Sequence, residues 1–224
     1  MLLKNNVETL DPKLDRIPFL DPRSKAYGIG LAGEAKTKIW HLNTHLNQQQ
    51  EGSCTGCAAT HLLMAPPFSL DLDIKFAKGI YWEAQKIDQF PGGSYPGASP
   101  QMEGSTVVAA MKVLKNAGHI KEYRWAFKLE ELISAISNVG PAVIGIDWYE
   151  GMQSTDLFGW IKPTGKIVGG HAILVKGVNI EKQRFKLHNS WGAWGLLGDC
   201  YLSFEDMQKL FYSKNPGEFA IAVK

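Results

Sequence analysis

An α+β fold, with helices and strands segregated along the chain, is predicted by three features of this 224-residue sequence. Apolar residues recur at helical spacing in several stretches up to residue 138. Beyond Gly140-Pro141 they gather instead into short apolar runs or alternate with polar residues, as strands do. Gly- and Pro-rich punctuation separates the stretches. The 45% hydrophobic content predicts a packed core and excludes a collagen-like, fibrous or mostly disordered chain. A chain of this size buries roughly 70% of its unfolded surface.

The elements follow in order. Residues 1–40 carry Pro12, Pro18 and Pro22 and no helical period, so they read as an extended arm on the body, with residues 1–12 equally readable as a disordered tail. The first helix begins after Ser53, which can cap it, shows Ala58, Leu62 and Ala65 at helical spacing, and stops at Pro66-Pro67. A second lies within 73–88, with Ile80, Tyr81, Ala84 and Ile87 as its stripe. Residues 91–100 form a loop. A third helix spans about 105–117 and ends at Gly118; a fourth spans 129–138. Strands are expected at 142–146, 172–175, around Phe185 and Leu187, and at 219–223. Ser203-Phe204-Glu205-Asp206 opens a late helix.

Charge is nearly balanced, 24 Lys+Arg against 22 Asp+Glu, so no basic excess points to a nucleic-acid partner. The first residues lack the apolar core of a secretory signal, and no apolar run reaches the ~18 residues of a membrane span. Three cysteines cannot build a disulfide framework and suit a reducing compartment. The expectation is a soluble, cytoplasmic protein with no membrane partner.

Cys54 is the most informative residue. It sits just after Ser53 in the first helical turn, where unpaired backbone N–H groups and the helix dipole favour a thiolate. Taken alone it is more readily a small buried cysteine. Cys54, Cys57 and His61 share a helix face and could be zinc ligands, and Cys54 with Cys57 could be a dithiol. No second cluster supplies a fourth ligand, and no strand–helix–strand pattern surrounds the pair. A thiol nucleophile needs a base and a group to orient it. His171, which follows Gly169-Gly170 and opens an apolar run, is the candidate base. Asn189, at the end of an alternating run, is the candidate orienter.

These residues resemble the papain-like cysteine peptidases. Gln48 and Gly52-Ser53-Cys54 are similar to the family's Gln…Gly-Ser-Cys signature. Gly170-His171-Ala172 is similar to its histidine strand. Asn189-Ser190-Trp191-Gly192-Ala193-Trp194-Gly195 is similar to its Asn-Ser-Trp-Gly-x-x-Trp-Gly segment, and Gly198-Asp199-Cys200-Tyr201 to the strand that follows. The subgroup most resembled is bacterial and bacteriophage homologues with Gly-Ser-Cys-Thr at the nucleophile.

The resemblance implies a two-lobe fold: an arm (1–47), a helical lobe bearing the nucleophile (48–130) and a β-rich, barrel-like lobe bearing His and Asn (131–224), with the site in the cleft. It implies a peptidase acting on peptide or protein substrates through a Cys54–His171–Asn189 triad. The resting state would be a thiolate–imidazolium pair. Gln48 and the Cys54 backbone N–H would form the oxyanion hole, and Trp191 would shield the His–Asn bond. Gly104 and Ser105 would meet the substrate backbone. No metal or cofactor is implied. Were Cys57 the nucleophile instead, Glu51 would stand where Gln48 does and would repel an oxyanion. Thr55 departs from the family's usual aromatic residue. The 53 residues before Cys54 are too few for the long inhibitory propeptide of lysosomal members. An inactive binding module on the same fold, and an amidase- or transglutaminase-like acyl transferase, are the alternatives.

Overall fold

The computed structural model describes residues 14–42 and 44–223, so the expectation for residues 1–12 lies outside the described residues. After a short 3-10 helix at Pro22–Tyr27 comes β1 (Lys38–Ile39), then three helices: α1 (Cys54–Met64), α2 (Ile74–Ile87) and α3 (Val107–Asn116). Every residue of α1 is buried, which its apolar character on all sides dictates. It packs against α2 and α3 on one side and the sheet on the other. The chain leaves α1 at Ala65, in extended conformation, just before the two prolines. Asp73 and Thr106 cap α2 and α3 by accepting from the backbone N–H of Phe76 and Ala109. Ser53 holds the cap position of α1 but makes no side-chain cap bond; its Oγ lies 4.0 Å from Cys57 Sγ instead. Ile87, expected in the buried stripe of α2, is 44% exposed because the helix ends there, beyond the edge of the packed face.

The rest of the chain contributes β2 (Glu122–Trp125), α4 (Leu129–Asn138), β3 (Ala142–Tyr149), β4 (Ile167–Asn179), β5 (Arg184–His188), the short kinked α5 (Trp194–Leu197), β6 (Asp199–Ser203), α6 (Phe204–Phe211) and β7 (Glu218–Val223). The strands form one antiparallel sheet in the order β2-β7-β3-β4-β5-β6, with β1 paired to β4. The sheet is open, with β2 and β6 at its ends, where a barrel-like lobe was expected. β2 falls inside residues 48–130, which the sequence reading assigned to the helical lobe. It joins the sheet because Glu122-Tyr123-Arg124-Trp125 pairs with β7.

Both sheet faces are covered, which explains the unbroken apolar runs of β3 and β4. On one face Ile144, Ile146, Ile173 and Val175 pack with Leu132 and Ile136 of α4 and Met207 and Leu210 of α6. On the other, Val143, Ala172 and Leu174 pack with Cys54, Ala58 and Leu62 of α1 and with Met111 of α3. The alternation of a strand thus sends neighbouring residues to two different cores. It also brings the start of α1 against β4 next to His171.

Candidate active site

Cys54 and His171 are both fully buried. Against burial, which raises the Cys54 thiol, the backbone N–H groups of Ala172, the residue after His171, and of Thr55 pull it down, which sets both beside its sulfur. His171 Nε2 is 2.8 Å from Asn189 Oδ1. That oxygen also accepts from the Ser190 backbone N–H at 2.8 Å, so it acts as acceptor and the imidazole nitrogen as donor. A neutral ring protonated at Nε2 keeps its lone pair on Nδ1, which is buried without a partner among the described residues. Trp148 and Trp191 wall the ring, with centroids 4.8 Å and 4.9 Å from it.

The Asn189-Ser190 segment also holds Gln48. The Gln48 backbone N–H donates to Ser190 O at 2.8 Å, and Ser190 Oγ donates to Gln48 Oε1 at 2.7 Å. Gln48 Nε2 donates to Glu51 O at 3.0 Å. The Glu51 carboxylate turns away to α2, where Lys78 Nζ lies 3.0 Å from one oxygen and Trp82 Nε1 donates to the other. Cys57 lies within a different small cluster, with Leu46, Met64 and Ala77. Burial pushes its thiol up to about 12. His61 accepts from the Leu46 backbone N–H through Nε2, at 3.1 Å. Among the described residues, no group of three or more His, Cys, Asp or Glu is placed to hold a metal ion.

Beneath the site lies a polar network the sequence reading did not identify. His188 Nδ1 is 2.6 Å from Asp199 Oδ1, which also meets Lys176 Nζ at 2.7 Å; Lys186 Nζ reaches the other oxygen at 2.8 Å. The His188 ring packs edge-on against His61, centroids 4.6 Å apart. The network therefore ties β4, β5 and β6, just before Asn189, to α1 and the segment ahead of Gln48. Trp148 was also missed, because in the sequence it is only one more apolar residue of a strand.

The arm runs through the cleft. The Gly170 backbone N–H donates to Leu14 O at 3.2 Å, Arg16 N–H donates to Gly170 O at 3.0 Å, and Ile17 N–H donates to Ser105 O at 2.9 Å. Residues 14–17 are thus an extended strand bridging β4 on one side and the segment before α3 on the other. Glycines make the passage. A Cβ at Gly52 would lie 2.5 Å from Asp15 Oδ2, at Gly104 2.4 Å from Asp15 O, and at Gly170 2.3 Å from Arg16 O. Gly104 and Ser105, expected to meet a substrate backbone, here meet the arm. A short arm, rather than a long propeptide, is what lies between β4 and the segment before α3.

The covered site has neutral electrostatics. Burial pushes the Cys54 thiol up to about 11, against the pull of the Ala172 and Thr55 N–H groups. Burial also lowers the His171 imidazole to about 4, against the support of Asn189. With the arm in place both groups are neutral at pH 7, where the sequence reading expected an ion pair: removing water penalises both charges.

A papain-like cysteine protease fold accounts for this architecture, and solved structures share it. Xylellain, a cysteine protease from Xylella fastidiosa, superposes with a TM-score of 0.70 at 18% identity, covering 94% of this chain and 95% of that one. Procathepsin L 3 of the Tenebrio molitor larval midgut gives 0.59 at 14% identity, covering 95% and 75%. Bromelain from Ananas comosus, in complex with the E64 inhibitor, gives 0.54 at 14%, covering 85% and 99%. No family model and no curated protein matches by sequence.

Proposed function

We propose that this protein is a cysteine peptidase that hydrolyses peptide bonds through a covalent acyl-enzyme on Cys54. The observation that carries the reading is the His171 Nε2–Asn189 Oδ1 bond, which leaves Nδ1 as the basic nitrogen one residue along β4 from Ala172, whose N–H pulls the Cys54 thiol down. His171 takes the thiol proton as the sulfur attacks the carbonyl carbon. The oxyanion is met by the Cys54 backbone N–H and by the Gln48 side-chain amide. Such a donor contributes about 2.7–4 kcal/mol. His171 then protonates the leaving amine, the C–N bond breaks, and the same nitrogen activates water to release the acyl group. Asn189 keeps the tautomer, and Trp191 and Trp148 keep water from the His–Asn bond. With the arm withdrawn, water and substrate reach the pair, and the cost of separating charge between sulfur and imidazole falls.

The glycine-lined groove, hydrogen-bonding an extended strand on both edges, favours peptide over small acyl-amide substrates. The test is to treat the protein with a peptide-like electrophile and map the adduct by mass spectrometry. The adduct is expected on Cys54, and Cys54→Ala is expected to abolish peptide cleavage while leaving the circular dichroism spectrum unchanged. An adduct on Cys57 or Cys200, or cleavage surviving in Cys54→Ala, refutes the assignment.

A further inference from the structure

We propose that His61 is a positioning residue for the reaction: by accepting the Leu46 backbone N–H it holds the segment that carries the Gln48 amide, so that one helix places both the nucleophile and its oxyanion donor. This rests on the reading of the site as a peptide-cleaving one with Gln48 in the oxyanion hole. Gln48 belongs to no helix or strand. Residues 46–48 are instead laid against residues 190–192 by main-chain bonds. Gly192 N–H donates to Leu46 O at 3.0 Å and Gln48 N–H to Ser190 O at 2.8 Å, on either side of the bridge between Asn47 and Trp191. The segment's bond to α1 is the one from Leu46 N–H to His61 Nε2, at 3.1 Å, with both residues buried. His61 stands about two turns after Cys54 on the same helix, every residue of which is buried. The helix therefore cannot carry the sulfur to a new place without carrying the imidazole with it.

The bond requires one protonation state. Nε2 accepts, so the neutral ring has its proton on Nδ1. Burial holds the imidazole well below its ordinary value, which keeps the Nε2 lone pair at pH 7. The His188 ring, packed edge-on with its centroid 4.6 Å away, is fixed in the opposite tautomer. Its Nδ1 donates to Asp199 Oδ1 at 2.6 Å, and the Asp199 carboxylate is anchored by Lys176 and Lys186 at 2.7 Å and 2.8 Å. His61 is thus braced between Leu46, two residues before Gln48, and His188, the residue before Asn189. An apolar side chain at position 61 would fill the space but leave the buried Leu46 N–H without this acceptor, and the segment would have to shift to find another. A shift of the Gln48 amide matters because a donor displaced by about 1 Å can cost about 10²-fold in rate.

The experiment uses the full chain and steady-state cleavage of one peptide. His61→Phe keeps a ring and removes the acceptor; it is expected to lower kcat about tenfold while KM changes less than about twofold. His61→Gln, whose side-chain oxygen can reach the place of Nε2, is expected to recover most of that loss. The link to Gln48 is read from a double-mutant cycle: added to Gln48→Ala, His61→Phe is expected to change kcat by less than about twofold, because the amide it places is gone. An unchanged kcat in His61→Phe, a loss confined to KM, no recovery in His61→Gln, or an equal loss with and without Gln48 overturns the positioning role, while cleavage by the wild type leaves the peptidase reading standing. No cleavage by the wild type refutes the peptidase and the role together. Where His61→Phe does not fold, leucic acid in place of Leu46, which puts an ester oxygen where the N–H was, deletes the same bond from the donor side and supplies the same ratios.

Discussion

At the scale of single residues, the site depends on where protons and lone pairs sit. Asn189 Oδ1 accepts from both His171 Nε2 and the Ser190 N–H, which leaves the imidazole one tautomer in its neutral form. Gln48 is held through Ser190 and Glu51, so for the proposed oxyanion role its amide is already placed. Replacing it tests that role: Gln48→Ala is expected to lower kcat about 10²-fold with little change in KM, because the lost bond forms in the transition state. Steady-state kinetics on one peptide checks this, and an unchanged kcat removes Gln48 from the role. Cys54 stood out in the sequence by its place at a helix start, and Gln48 by the resemblance to the papain-like Gln…Gly-Ser-Cys signature. Trp148 did not, since nothing in an apolar strand marks which ring will lie against a histidine.

At the scale of elements, α1 places the sulfur and β4 places the imidazole. Helix α1 contains no charged Asp, Glu, Lys or Arg and is covered on all sides, so its position is set by packing rather than by its cap. Ser53 makes no cap bond, in contrast to Asp73, which accepts from Phe76 N–H at the start of α2. Asp73→Ala is expected to destabilise the fold by about 1 kcal/mol through loss of that cap, while Ser53→Ala is expected to cost no cap energy; urea denaturation of the two variants distinguishes them. The bounds of α4 and the start of α6 could be read from the sequence, as their apolar stripes face a single core. β1 and β2 could not, since two residues, or four that mix charge with aromatic side chains, carry no period. They are strands because β4 and β7 offer them an edge.

Across the whole molecule, buried charge binds the sheet to the site and to the arm. Asp199 is mostly buried, which by itself would raise its pKa. Hydrogen bonds from His188, Lys176 and Lys186 more than offset this and hold the carboxyl well below its ordinary value. A depressed carboxylate contributes stability above its unfolded value, near 3.8, and loses it as pH falls further. Thermal melts between pH 5 and pH 2 are therefore expected to drop more steeply for the wild type than for Asp199→Asn; parallel curves refute this. Glu218 has the opposite sign. Burial raises it to about 7 despite Arg16, so its contribution is present below its unfolded value of 4.5 and is lost as pH rises through 7.

The sequence by itself determined the pieces whose signals are local: a thiol in a first helical turn, a histidine at the mouth of an apolar strand, an asparagine before Ser-Trp-Gly, and the order of helices before strands. Only the tertiary structure decided that Leu14–Ile17 would lie in the cleft, that the covered thiol and imidazole would be neutral, and that Arg16 would meet Glu218 at the far end of the chain. The physical reason is that the arm is bound by main-chain hydrogen bonds, which carry no side-chain signature. The spaces it fills are made by glycines from distant segments, and their vacancy has meaning only once those segments face one another.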